Sequence, residues 1–252
     1  MSISNHIHIL RIAFFLGLLS IPSVIHSQGS DFGIWTEMAA EKKINRRWSA
    51  GVEAEVRTND DASQTSRWAI GLYGQYKIAK WLKAGGGYDF LYDRRQQYTY
   101  HADGSLNKYA NYWTPRHRFH LDLTGQVNFG FWKLSLRERW QYTYRPQKTI
   151  AGRYDYDEGA YDDERKTYSG RGKNVLRSRL KVVYDWRMVR LEPYASIELY
   201  NALNIEKERY TLGLDWNVNK HNILDAFYRY QNVVDDDDMG LHVLGINYKY
   251  KF

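Results

Sequence analysis

Read in steps of two, the chain sorts its apolar and polar residues onto opposite sides. From position 48, Trp48, Ala50, Val52, Ala54 and Val56 share one face, while Ser49, Gly51, Glu53, Glu55 and Arg57 share the other. A period of two is that of a β-strand with one face in an apolar environment. The division recurs in Trp68, Ile70 and Leu72 against Arg67, Ala69 and Tyr73, and in Phe119, Leu121 and Leu123 against Arg118, His120 and Asp122. Leu180, Val182 and Tyr184 oppose Arg177, Arg179 and Lys181, and Ile197 and Leu199 oppose Glu192, Ser196 and Glu198. Tyr210, Leu212 and Leu214 oppose Arg209, Thr211 and Asp215. No helical period is sustained beyond the first 27 residues, so the chain reads as all-β.

The alternation predicts strands over 31–44, 48–58, 67–78, 81–92, 116–127, 131–144, 175–184, 189–200, 208–218, 221–231 and 241–252. Each is about 10 to 14 residues, long enough to cross a bilayer when tilted. Short connections at 44–47, 79–80, 128–130, 185–188 and 219–220 alternate with longer ones at 59–66, 93–115, 145–174, 201–207 and 232–240. Short turns on one rim and long polar loops on the other are the habit of transmembrane β-barrels. A soluble barrel or sandwich also has one apolar and one polar face, and a one-dimensional pattern does not say which face points inward.

The N-terminal segment bears on that choice. Arg11, the apolar run 12–19 and a Pro/Ser-containing stretch ending near Ser27 have the layout of a secretory signal peptide. The expected organisation is a cleaved segment 1–27 followed by a single barrel domain over 28–252, located in the outer membrane of a Gram-negative cell. There is no cysteine, so an exported chain of this size holds together without disulfides. Aromatic residues make up 16% of the chain, and Trp48, Trp68, Tyr92, Trp132, Tyr144, Tyr184, Trp216 and Tyr230 fall near strand ends, where interfacial girdles form. The expectation is an antiparallel up-and-down transmembrane β-barrel of 10 to 12 strands.

LGINYKYKF (244–252) resembles the C-terminal strand signature of bacterial outer-membrane proteins, with Tyr248, Tyr250 and Phe252 on one face. That resemblance implies recognition by the barrel-assembly machinery. RWSAGVEAEVR (47–57), GLYGQYKIAKWLKAGGGYDFLY (71–92), RHRFHLDL (116–123), LSLRERWQY (134–142), LRSRLKVVY (176–184) and LEPYASIELY (191–200) together resemble the domain of unknown function 2490 family of Bacteroidota-type outer-membrane barrels. The resemblance implies an outer-membrane barrel and supplies no activity or functional residue. Eleven candidates sit awkwardly with the even strand numbers of bacterial single-chain barrels. Ten follow if one is not a wall strand, such as 31–44, whose Glu37 and Glu41 could lie in the lumen; twelve follow if a loop conceals another.

If the polar face is the interior, Glu53, Glu55, Arg57, Arg118, Arg137, Arg139, Arg177, Arg179, Glu192, Glu198 and Arg209 form a lumen-facing charge network, because charges facing lipid are costly. The plainer reading is a structural or partner-binding barrel whose lumen is filled by mutually paired charges. The sharper one is a narrow, porin-like channel that prefers anions, since arginine outnumbers acid on this face. Glu138 falls on the apolar face by strict counting, which a β-bulge near Arg137 to Trp140 or a place at the rim would explain. A lipid-modifying enzyme would need serine, histidine and a carboxylate in reach of one another. His101, His117, His120, His221 and His242 are available, but no nucleophile motif accompanies them.

The acidic stretches 151–164 and Asp235 to Asp238 lack calcium-loop spacing and read as solvated loops, or as contacts to cation-bridged lipopolysaccharide. Gly85 to Gly87 fall within a strand, where they allow curvature or close packing rather than phosphate binding. No cofactor, metal or catalytic residue is expected. The expected partners are outer-membrane lipid and lipopolysaccharide, the assembly machinery and an outer-membrane protein partner, with no nucleic acid.

Overall fold

A computed structural model describes residues 30–202, 204–233 and 240–252. Its long strands are β1 (Ser30–Lys43), β2 (Trp48–Asn59), β3 (Gln64–Lys77), β4 (Leu82–Tyr100), β5 (Leu106–Phe129) and β6 (Trp132–Arg145). Four short strands follow: β7 (Lys148–Ile150), β8 (Tyr154–Asp155), β9 (Ala160–Tyr161) and β10 (Lys166–Tyr168). The long series resumes with β11 (Arg171–Tyr184), β12 (Leu191–Asn201), β13 (Ile205–Asn217), β14 (Asn222–Val233) and β15 (Gly240–Lys251).

Each long strand pairs antiparallel with the next, and β1 pairs with β15, so eleven strands close into a barrel. The closing pair is parallel, from Ser30 opposite Gly240 to Glu41 opposite Lys251. An odd number of up-and-down strands leaves the first and last running the same way, and parallel pairing is the one closure open to them. Eleven lies within the expected 10 to 12 strands, while the even-numbered alternatives of ten and of twelve are both corrected. Segment 31–44 is a wall strand, held by β2 on one side and β15 on the other, rather than a lumen insert or a dispensable edge.

The side chains are arranged inside out relative to a water-soluble barrel. Val52, Ile70, Leu72, Leu121 and Ile246 are 47% to 61% exposed on the outer surface, while Asp89, His120, Glu198 and Arg209 are only 5% to 8% exposed within. A soluble barrel would bury its leucines and wet its charges, so the soluble alternative is set aside. On the short-turn side Trp48 packs on Tyr76 and Trp132 on Tyr184; on the loop side Trp68 packs on Tyr92, and Tyr92 on Trp113. Trp48 and Val56, which pairs with Trp68, mark the two levels on β2. Their spacing is about 26 Å along the strand and about 20 Å along the membrane normal at a tilt near 40°. That is close to the apolar band of an outer-membrane barrel.

The apolar core is small and lies inside the barrel beside the seam, where Trp35, Phe227 and Val243 pack with Tyr194 and Leu241. Gly87 of β4 leaves room for His120, since a Cβ there would come within 2.7 Å of its ring and 2.6 Å of the Leu72 carbonyl. Strands β4 and β5 run well past their predicted ends. Pairing of β5 with β6 begins at His117, so Leu106–Arg116 stands clear of the β6 wall, and β8 covers that free edge at Lys108 and Tyr109. This protects an edge that would otherwise recruit a foreign strand. Beyond the lipid both faces of a hairpin are wet, so the apolar alternation that betrays a strand in sequence fades there.

Candidate functional site

Inward side chains from adjacent strands meet because the ladder register sets opposite charges beside one another. Asp122 of β5 lies opposite Arg139 of β6, and Glu198 of β12 lies opposite both Arg179 of β11 and Arg209 of β13. Arg139 grips Asp122 as a fork, Nε to Oδ1 at 2.5 Å and Nη2 to Oδ2 at 2.9 Å. Glu198 accepts from Arg137 Nη2 at 2.5 Å and from Arg177 Nη2 at 3.0 Å, with Arg209 Nη1 at 3.7 Å. Arg57 bonds Glu55 at 2.5 Å. The Arg118 guanidinium lies 3.7 Å from Asp89, beyond hydrogen-bond reach.

The other predicted network members lie at the edges of this group. Arg179 is inward with its Nε lacking an acceptor among the described residues, and Glu53 leans over Gly71 of β3. Glu192 sits near the short-turn rim, where Lys133 Nζ comes within 3.3 Å and Asn217 Nδ2 donates at 3.1 Å. Two participants were missed in the sequence. Trp35 projects inward beneath the guanidinium carbons of Arg57, Arg209 and Arg229, at 3.7, 5.1 and 5.2 Å from its ring centroid. Its parity with Glu37 was the available signal. Asp93, assigned to a loop, holds both Arg67, at 2.5 Å, and Arg116.

Among the described residues, two cavities in the barrel interior share no lining residue. The one on the long-loop side measures about 810 Å³, and ten arginines and two lysines line it against Asp31, Asp93 and Glu206. The one on the short-turn side measures about 590 Å³ and is nearly balanced, with five lysines against Glu37, Glu192, Asp215 and Asp225. Glu53, Glu55, Asp89, His120, Asp122, Arg137, Arg139, Arg179 and Glu198 line neither cavity.

The profile of a protein family of unknown function, DUF2490, matches residues 32–239. The chain belongs to this family. Among solved structures, the β domain of the Bordetella autotransporter BrkA aligns with a TM-score of 0.55 at 16% identity, over 81% of this chain and 83% of that one. The translocator domain of the autotransporter NalP from Neisseria meningitidis aligns with a TM-score of 0.51 at 12% identity, over 80% and 73%. At such identities the likeness is one of fold, that of an outer-membrane-type β-barrel. No curated protein matches the chain.

Members of this family thus come with no assigned chemistry, and the remaining candidates have to be judged by position. His117 and His120 point to opposite faces: His117 bonds Tyr88 on the outside through Nδ1 at 2.7 Å, and His120 lies in the lumen between Asp89 and Asp122. They do not converge on one site. Glu138 is corrected. No register shift interrupts β6 near it, and it sits in mid-strand on the outer face, accepting a 2.6 Å hydrogen bond from Ser178 Oγ.

In the 146–170 connection, Lys108 Nζ reaches Asp162 at 2.7 Å and Asp155 at 3.2 Å, while Arg153 reaches Glu164 at 2.9 Å. This part of the acidic stretch is tied by internal ion pairs. Hydrogen bonding to Lys108 holds the Asp155 and Asp162 carboxyls below the usual range, and the same bonds raise the Lys108 ammonium. At the other rim, the Phe252 amide donates to the Glu41 carbonyl at 2.9 Å, its ring meets Tyr250 edge-on, and Tyr248 OH donates to Asn222 at 2.5 Å. The predicted signal peptide and Asp235 to Asp238 lie outside the described residues.

Proposed function

We propose that this protein is a closed outer-membrane barrel that works as a structural or partner-binding element rather than as a pore or an enzyme. The observation that carries this reading is the layer of paired side chains, centred on Glu198 with Arg137 and Arg177 and on Asp122 with Arg139, between two cavities that share no wall. A partly buried carboxylate gripped by two guanidiniums is held in place, because breaking such a group leaves uncompensated charge. The long connections lie on the outer side by the usual disposition of barrel loops. There they meet lipopolysaccharide or an outer-membrane protein partner, and the strand bearing Tyr248, Tyr250 and Phe252 addresses the assembly machinery.

The runner-up, an anion-preferring channel, is favoured by one observation, the arginine excess of the loop-side cavity. Recording purified barrel in planar bilayers separates the two readings. The closed barrel gives no unitary current steps, whereas reproducible anion-selective steps would establish the pore instead.

A further inference from the structure

The loop-side cavity holds far more positive than negative charge, and its few carboxylates are already engaged. Asp93 is held by Arg67 and Arg116, and Glu206 lies 2.6 Å from Lys173. Asp31 accepts the backbone amides of Phe32, Asp60 and Asp61 at 2.7 to 3.0 Å, closing the turn between β2 and β3. Beyond the lining, Glu55 pairs with Arg57, and Glu198 with Arg177 and, at 3.7 Å, Arg209, while Arg94 donates to Asn111 and Arg145 to the Ser169 carbonyl, both neutral acceptors. Among the described residues, the buried Nε groups of Arg57, Arg116, Arg118 and Arg177 have no acceptor at all. Arg177 is only 9% exposed. Concentrated like charge inside a barrel wall is unfavourable unless a counter-charge joins it.

We infer that this vestibule is a blind receptacle for a multiply charged oxyanion of the phosphate type, admitted from the loop side. Two features select that chemistry. Arginine outnumbers lysine ten to two in the lining, and the planar guanidinium fork matches the paired oxygens of phosphate better than a point charge does. The volume of about 810 Å³ falls in the range of pockets that enclose a small molecule and exceeds what a halide would need. The short-turn cavity, with lysines and carboxylates nearly in balance, has no such selectivity. The word blind rests on the closed-barrel reading; the anion site itself does not.

Phosphate groups of this kind reach the outer surface on free oligophosphates or on the sugar headgroup of lipopolysaccharide, and the test has an arm for each. Titration calorimetry of the refolded barrel in detergent with inorganic tripolyphosphate should show saturable binding at low salt that weakens steeply as salt rises. Vesicles containing lipid A, against vesicles of zwitterionic lipid, probe the headgroup source. Arg118→Ala combined with Arg145→Ala should weaken binding at least tenfold, and Lys181→Ala in the other cavity should leave it unchanged, with heat-modifiable gel migration confirming that each variant is folded. If the double variant does not fold, Arg145→Ala alone is read against Lys181→Ala in the same way. Absence of saturable binding to both probes, or equal loss in both cavities, overturns the site. Conductance is scored separately, so a conducting barrel that still binds tripolyphosphate refutes closure and leaves the site standing.

Discussion

Glu138 faces away from the lumen near the middle of β6, between the exposed side chains of Leu136 and Trp140 and opposite Leu123 of β5. Among the described residues its one polar companion is Ser178 of β11. An acidic side chain on the lipid face near the midplane is unfavourable, though less so than a basic one, whose cost is about 2–4 kcal/mol, and one hydroxyl recovers about 1 kcal/mol. Glu138→Leu is therefore expected to stabilise the barrel by roughly 1–2 kcal/mol on that scale, read as a higher urea midpoint in lipid vesicles. A lower midpoint would show that Glu138 makes a contact worth more than its desolvation. The inward residues tell the opposite story, since Glu53, Arg137 and Arg177 lie where alternation puts them. Their partners were not legible, because parity assigns a face but does not say which arginine stands across from Glu198.

Among the elements, the seam sets this barrel apart from an even-stranded one. Parallel pairing brings Ala39 opposite Lys249 with both side chains inward, and the natural chain has no cysteine to confuse a cross-link. Ala39→Cys with Lys249→Cys should form an intramolecular disulfide under mild oxidation, seen as a reductant-sensitive gel shift, since registered neighbours fall within disulfide reach. Ala39→Cys with Ser135→Cys on β6 should not. Failure of the first pair would mean that β1 closes the ring in another register.

The projecting hairpin and the strands beside it supply a second prediction. Asp155 and Asp162 titrate below their unfolded values, so their contribution is present above about pH 4 and lost as pH falls further. Lys108 titrates above its unfolded value, so its contribution is complete below about pH 10 and lost above it. Hydrogen-exchange protection of the Arg153, Asp157 and Glu158 amides, which donate to Asp162 and Asp155, should be level from about pH 5 to 9 once intrinsic rates are removed. Lys108→Ala should lower it at neutral pH. Unchanged protection in that variant would mean that backbone pairing with β5 alone holds the segment.

At the scale of the molecule, eleven strands, an outward apolar band and a charge-filled interior combine into a barrel with two unlike ends. Its class and strand positions follow from the sequence, because a period of two repeated over eleven segments has few physical solutions when the apolar side carries tryptophan at its ends. Membership of an inward or outward set was readable for the same reason, from Glu53 to Arg209. The tertiary structure alone decided that 31–44 belongs to the wall, that the ring closes in parallel, that Trp35 and Asp93 join the lumen, and which side chains line each of the two cavities. Each of these depends on which strands become neighbours and how far one is slid past the next. Such relations join residues up to about two hundred positions apart, as in the pairing of Ser30 with Gly240, and local alternation carries no record of them.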